Sequence, residues 1–343
     1  VAKKPKLSVK QRRQVQNNRQ KRLNKHETDI SDTNLGEQTN GRVIGRFGKH
    51  ANVENMETRE VHKCHIRRTV ESVVCGDHVL FRPSLTEDDR DRGIIEAVED
   101  RKSTLTRPDY YDGVKPVAAN IDQILVVSSI VPALSTHIID RYLVACEAVS
   151  IPAIIIINKI ELLDELQLNE LKQNMQLYVD IGYPVIYTSC QTTQGVQTLA
   201  AELSDKVSVF VGQSGVGKSS LVNQLLPNAE EQVGDVSVSS GLGQHTTTAS
   251  KLLKFKDGGD LIDSPGVREF GLWHIPNEEI TKGFVEFNEF LGGCKFTDCK
   301  HKKDPGCLIR QAVDEGRIAR SRYDSYHKII ESNQENRPSF SKT

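Results

Sequence analysis

Hydrophobic and polar positions change rhythm three times along this chain. Residues 1–38 are polar, lack hydrophobic periodicity and end in SDTNLGEQ, a pattern that predicts a flexible tail, disordered in isolation. Between 40 and 115 short β-like runs appear, GRVIGRF, HKCHIRRTV, DHVLFRP and GIIEAVED, with Gly, Pro and Asp between them. That spacing predicts a small all-β barrel or sandwich, with an OB-fold as the leading candidate. From 120 to 210 strand and helix alternate. ILVVSS, AIIII, PVIYTS and VSVFV read as strands, and HIIDRYLVACEAV, LDELQLNELKQNMQLYV and VQTLAAEL as helices. Continuous apolar strands between helices predict a buried parallel sheet. A further helix (SSLVNQLL), a polar loop and the strand DLID complete that unit near residue 270. The remainder contains Cys and His and then turns helical. The expected division is a tail at 1–38, a β-barrel domain at 39–115, an α/β domain at 116–272 and a mostly helical C-terminal domain at 273–343.

Composition sharpens this picture. The chain has 343 residues, enough for several domains, and a net charge of −1. Residues 1–26 carry ten Lys or Arg and no Asp or Glu, which leaves 35 basic and 46 acidic residues elsewhere. A basic arm on an acidic body suggests contact with a polyanion, nucleic acid first, although a basic arm also serves solubility. Arg42, Arg46, Lys63, Arg67 and Arg68 offer a nucleic-acid face on the barrel; an ordinary solvated charged face is the alternative. No apolar run reaches the roughly 18 residues of a membrane span. The start VAKKPKLSVK has no apolar signal segment, and an odd count of seven cysteines fits the reducing cytoplasm.

Residues 212–219 read GQSGVGKS, the pattern G-x-x-x-x-G-K-S of a phosphate-binding loop. The backbone of Gly212, Gln213, Ser214, Gly215, Val216 and Gly217 would curl its N–H groups around a β-phosphate. Lys218 adds charge between the β- and γ-phosphates, Ser219 offers a hydroxyl to Mg²⁺, and Ser219 and Ser220 open a helix whose N-terminal end faces the same anion. DSPG at 263–266 has the form D-x-x-G: Asp263 would hold Mg²⁺ through water and the Gly266 N–H would meet the γ-phosphate. Between them, SGLGQHTTT at 240–248 suits a switch loop, with Thr247 the first choice for Mg²⁺ and Thr246 the next.

NKIE at 158–161 is close to N-K-x-D, the guanine-reading element of GTPases. The Asn158 amide can reach the base edge and the Lys159 stem can pack along the ring. Glu161 stands where Asp is usual, one methylene longer, and can still accept from guanine N1–H and N2–H. Ser189 and Cys190 fit the loop that backs the guanine carbonyl. This reader precedes the phosphate loop, whereas ordinary GTPases place it after. The order predicts a circularly permuted GTPase using GTP/GDP and Mg²⁺.

Cys294, Cys299, His301 and Cys307 form C-x4-C-x-H-x5-C, a set able to close one tetrahedral structural Zn²⁺ site. Gly292, Gly293, Pro305 and Gly306 supply its turns. Cys64, Cys75 and Cys146 read as buried small residues, and His62 and His65 as ordinary strand residues.

Together, TRPDYYDGVKPVAANIDQILVV, IIDRYLVACE, NKIE, GQSGVGKSSLVN, SGLGQHTTT, DSPGVREFGLW and the Cys/His knuckle resemble the bacterial small-ribosomal-subunit-dependent GTPases of the RsgA, or YjeQ, family. The resemblance implies an N-terminal OB-fold, a permuted GTPase domain and a C-terminal zinc domain. It further implies late maturation of the small ribosomal subunit, contact with its rRNA, and hydrolysis stimulated by that subunit. The family's switch-loop histidine is matched by His245. Val267, apolar, follows D-x-x-G, so His245 is a candidate to orient the attacking water, with RNA contact as its alternative. Lys218, Thr247 and His245 are then the catalytic set. A monomer is expected, since no heptads are visible. A nucleotidase independent of RNA, and a passive RNA-binding protein with a structural nucleotide, are the rival readings.

Overall fold

A computed structural model describes residues 35–70, 72–85, 93–109, 113–226, 250–256, 258–263 and 275–335. The basic tail through residue 34, the 240–248 loop with His245, Thr246 and Thr247, and Gly266 and Val267 lie outside the described residues.

Strands β1 (Thr39–Phe47), β2 (His50–Asn55), β3 (Val61–Ile66), β4 (His78–Arg82) and β5 (Gly93–Val98) form the expected barrel. Their order is β1-β2-β3-β5-β4, and β4 returns to pair with β1, which closes the ring. The β3–β5 pair is parallel and the rest are antiparallel. Alternate residues point inward, so Val43, Val53, Cys64, Val79, Phe81 and Ile95 make one apolar core. Strand β2 reads HANVEN and carries no strong β signal. It forms because Ala51 and Val53 alternate into that core, while β1 folds back through a short turn at Gly48 and Lys49. A hairpin of β6 (Thr104–Asp109) and β7 (Gly113–Ala119) leads out of the barrel.

The α/β unit runs β8 (Gln123–Ser129), α1 (Thr136–Ala148), β9 (Ala153–Asn158), α2 (Glu165–Ile181), β10 (Val185–Thr188), α3 (Val196–Leu203), β11 (Val207–Val211), α4 (Lys218–Leu225), β12 (Ser250–Lys254) and β13 (Asp260–Asp263). The sheet order is β10-β9-β8-β11-β13-β12, parallel except for the antiparallel strand β12. All six residues of β9 are buried because both faces are covered. Ile155 and Ile157 pack on the α1 and α2 side, and Ile154 and Ile156 pack on the α3 and α4 side. Each such isoleucine contributes about 1.5–3 kcal/mol of burial.

Sequence reading gave no hint that the two β units join. Strand β12 pairs with β1 through Gly45↔Lys251 and Arg46↔Ser250, so barrel and α/β sheet form one continuous sheet of eleven strands among the described residues. Arg42 spans this junction, bonding Asp260 at 2.6 Å and Glu54 at 3.3 Å, and Lys254 also bonds Glu54. Arg42 therefore does not line an exposed nucleic-acid face: two carboxylates hold it inward. Lys63, Arg67 and Arg68 do lie exposed.

The C-terminal region comprises α5 (Asn277–Lys282), a 3₁₀ turn at Val285–Phe290, the Cys/His loop, α6 (Leu308–Asp314) and α7 (Arg320–Glu335). It shares one apolar core with the α1 face of the sheet, including Leu143, Val144, Phe284, Phe287, Ile309 and Tyr326. Arg322 of α7 is 1% exposed at this seam. It donates to Asp140 of α1 at 2.6 Å and to both oxygens of Glu286 at 2.7 and 3.0 Å, and stacks over Phe284. Burial would lower the guanidinium pKa, but its bonds to Glu286 and the charge of Asp140 outweigh that and raise it. Among the described residues no helix is long and apolar enough to cross a membrane.

Candidate nucleotide site and metal centre

The phosphate loop leaves the end of β11, a central strand, and enters α4 at Lys218. Gly212 and Gly217 take φ of 143° and 95°, and a Cβ on either would lie 2.1 Å from the Val127 carbonyl oxygen or 2.3 Å from Asn158 Nδ2. Conformation and space both demand glycine there. Lys218 Nζ donates to the carbonyl oxygens of Gly212 at 2.8 Å and Gln213 at 2.5 Å, which holds the ammonium against the loop. Gln213, Ser214 and Gly215 are exposed, as are Ser219 and Ser220 in the first turn of α4, while Val216 is buried beneath. Asp263 ends β13, which runs parallel beside β11, so its carboxylate emerges at the sheet edge that carries the phosphate loop.

Asn158 ends β9, two strands away from β11, and is 1% exposed. Its Nδ2 donates to the Val216 carbonyl at 3.0 Å, and its Oδ1 accepts from the Thr188 hydroxyl at 3.1 Å. Lys159 adopts the left-handed region at φ 65° and turns the chain. Its Nζ donates to the carbonyl oxygens of Val131 at 2.5 Å and Gly215 at 2.6 Å. Glu161 follows in the single turn Ile160–Leu162, and its Oε2 is buried without a hydrogen-bond partner among the described residues. A buried carboxylate oxygen left unpaired is costly. The N1–H and N2–H donors of guanine are the complement it lacks, so the residues fit a guanine base.

Ser189 is fully buried and shapes the adjoining loop: its N–H donates to Gln194 O at 3.0 Å, and its Oγ accepts from Thr192 N–H at 3.1 Å. The Cys190 sulfur lies 3.9 Å from Asn158 Oδ1, and burial raises its thiol pKa, which keeps it neutral. Burial likewise pushes Cys64 up to about 12 and raises Cys75 and Cys146; all three are the inert buried thiols expected.

At the other site, the ligand atoms of Cys294, Cys299, His301 and Cys307 lie within 4.8 Å of one another. His301 Nδ1 is 3.6 Å from Cys294 Sγ and 3.5 Å from Cys307 Sγ. A tetrahedral Zn²⁺ shell has S···N edges of about 3.5 Å, so the residues fit that ion with Nδ1 as the nitrogen ligand. Left-handed backbone at Gly292, His301 and Gly306 folds the knuckle. Burial lowers the His301 pKa and favours the neutral imidazole that ligation requires. Helix α7 steadies the loop: Tyr323 OH and His327 Nε2 reach the His301 carbonyl at 2.5 and 3.1 Å.

The description RsgA GTPase belongs to the family model that matches residues 98–273. The chain is 56% identical to the small ribosomal subunit biogenesis GTPase RsgA of Proteus mirabilis, over 96% of each chain. The chain belongs to the RsgA GTPase family. A second RsgA relative, RsgA 1 of Vibrio vulnificus strain YJ016, is 53% identical over 98% of this chain and 96% of its own. Among solved structures, YjeQ from Thermotoga maritima is similar at TM-score 0.69 and 34% identity, covering 87% of this chain and 99% of that one. YloQ, described as a circularly permuted GTPase, is similar at TM-score 0.69 and 29% identity, covering 88% and 97%. The RsgA-type fold, with barrel, central GTPase unit and Cys/His cluster, agrees with the sequence expectation.

Three contributors escaped sequence reading. Thr188 and Val131 are tied to Asn158 and Lys159 of the NKIE element, and Gln224 of α4 donates to the Cys190 carbonyl. No motif marks them; only the alternation of strands and helices that stacks β8, β9 and β10 beside β11 hints at them.

Proposed function

We propose that the chain is a GTP phosphohydrolase that binds the small ribosomal subunit, acts in its late maturation and leaves on hydrolysis. The observation that carries this reading is the Glu161 oxygen, buried without a hydrogen-bond partner among the described residues, three positions beyond Asn158, which is itself bonded to the phosphate loop. That bond supports base and phosphate subsites lying side by side. The relatives' names supply the ribosomal context.

In this reading residues 212–220 cradle the phosphates, Asn158, Lys159, Glu161, Ser189 and Cys190 enclose guanine, and Lys218 stabilises charge on the transferred phosphoryl group. Ser219, Asp263 and Thr247 would hold Mg²⁺, which neutralises phosphate charge when bound. Gly266 would sense the γ-phosphate, and His245 would orient the attacking water when the chain is docked on the subunit. Residues 39–115, 116–272 and 273–343 act as barrel, GTPase and zinc domains of a cytoplasmic monomer. The basic tail, Lys63, Arg67 and Arg68 supply rRNA contacts.

Phosphate release from GTP and ATP, with and without small ribosomal subunits, tests the proposal. Strong stimulation specific to GTP and to that subunit supports it. Equal rates with and without particles would favour a free-standing nucleotidase.

A further inference from the structure

We propose that Gln224 is a positioning residue for base discrimination, setting the loop at 189–194 from the helix that also carries Lys218. The inference rests on the guanine reading of Asn158 and Glu161. Gln224 lies on α4, six positions beyond Lys218, and its Nε2 donates to the Cys190 carbonyl. A peptide group is planar, so fixing that carbonyl also fixes the direction of the Gln191 N–H. The Ser189 N–H is already committed to Gln194 O. The Thr192 N–H is bonded to Ser189 Oγ, which leaves the Cys190 and Gln191 N–H groups to meet the 6-position of the base, and Gln224 fixes the peptide that carries the second. Guanine presents a carbonyl at that position and adenine an amino group, so a fixed N–H donates to the first and opposes the second.

A second observation separates this role from packing. Gln224 Oε1 is buried with no hydrogen-bond partner among the described residues. An apolar side chain there would avoid that unmet acceptor, so the amide costs stability for what its N–H grips. The link also joins the phosphate half of the site to the base half, since α4 begins at Lys218 and Cys190 lies against Asn158.

The experiment uses the full chain and the Q224M and Q224E variants. It measures kcat and KM for GTP, ITP and ATP, together with Tm. ITP keeps the carbonyl at position 6 but lacks the 2-amino group. Q224M is expected to lower the preference for GTP over ATP about tenfold, mainly through KM, and to lower that for ITP over ATP equally. Its GTP-to-ITP ratio and Tm should stay near wild type. Q224E, with a carboxylate facing the Cys190 carbonyl, should lose more. Unchanged GTP-to-ATP preference in both variants overturns the inference, and a fall in Tm with that preference intact would assign Gln224 to packing instead. A wild-type chain without preference for GTP over ATP would remove the guanine reading itself, and this inference with it.

Discussion

Asn158 Nδ2 and the Val216 carbonyl oxygen lie 3.0 Å apart although the residues are 58 positions apart in sequence. One is in the NKIE element proposed to read guanine and the other in the GQSGVGKS loop, so this bond joins the two parts of the proposed site. Gly217 guards it, because a Cβ there would sit 2.3 Å from the same Nδ2. Both Asn158→Ala and Gly217→Ala should weaken GTP binding about 10- to 100-fold, the range for losing buried polar partners. Titration with a fluorescent GTP analogue measures this. Wild-type affinity in Gly217→Ala would show that the loop does not need Asn158 in place.

Glu161 should decide how the 2-amino group is read. Glu161→Gln replaces an acceptor with an amide and should cut the preference for GTP over ITP about tenfold. Competition between the two nucleotides in a hydrolysis assay gives the ratio directly. An unchanged ratio would place the 2-amino group elsewhere.

The Cys/His knuckle should carry about one zinc per chain, removable by a strong chelator. Ligand binding is folding energy in so small a loop, so chelation should lower Tm and expose the segment around 294–307 to protease. Cys299→Ser should do the same without chelator. Elemental analysis finding no zinc in freshly purified protein would reject the assignment.

Arg322 should matter for stability out of proportion to its position. Arg322→Met leaves Asp140 and Glu286 with uncompensated charge and should cost about 3–5 kcal/mol. Adding Asp140→Asn and Glu286→Gln should recover part of the loss, because the unpaired charges go as well. Denaturant titration reads both; additive losses would mean the three groups are not coupled.

Acidification should loosen the α1–α7 seam. His137 Nδ1 lies 3.1 Å from Ser325 Oγ, and burial first, then Arg141 and Lys328, lower the imidazole pKa against the opposing pull of Asp140. The folded chain then takes up that proton less readily than the unfolded one. Its contribution is complete above the ordinary value of about 6.5 and declines as pH falls below it. His327 is lowered by burial too and acts in the same sense. Tm should therefore drop between pH 7 and 5, with a shallower slope in His137→Asn. Identical slopes would clear His137 of a role.

Strand and helix identity in the α/β unit was legible because β9 and β11 are apolar except at Asn158 and Ser208 and α1 to α4 carry helical spacing. Strand β2 was not, since four of the six residues of HANVEN are polar and it pairs only because β1 turns back on it. The chemistry of the site was legible wherever it depends on residue type at fixed spacing. GQSGVGKS, NKIE and the Cys/His cluster each concentrate their candidate groups within a short stretch, so local order alone brings them together.

What the sequence by itself determined was therefore local: the GQSGVGKS loop, the NKIE element placed before it, and a Cys/His cluster that could hold a metal. Tertiary structure alone decided three things. It set the Asn158–Val216 bond across two strands, carried Gln224 to the Cys190 carbonyl, and joined the barrel to the GTPase sheet through β1 and β12. The reason is that these contacts depend on sheet order and register. Those are fixed by how both faces of the sheet are covered, a property of the whole chain that no short segment encodes.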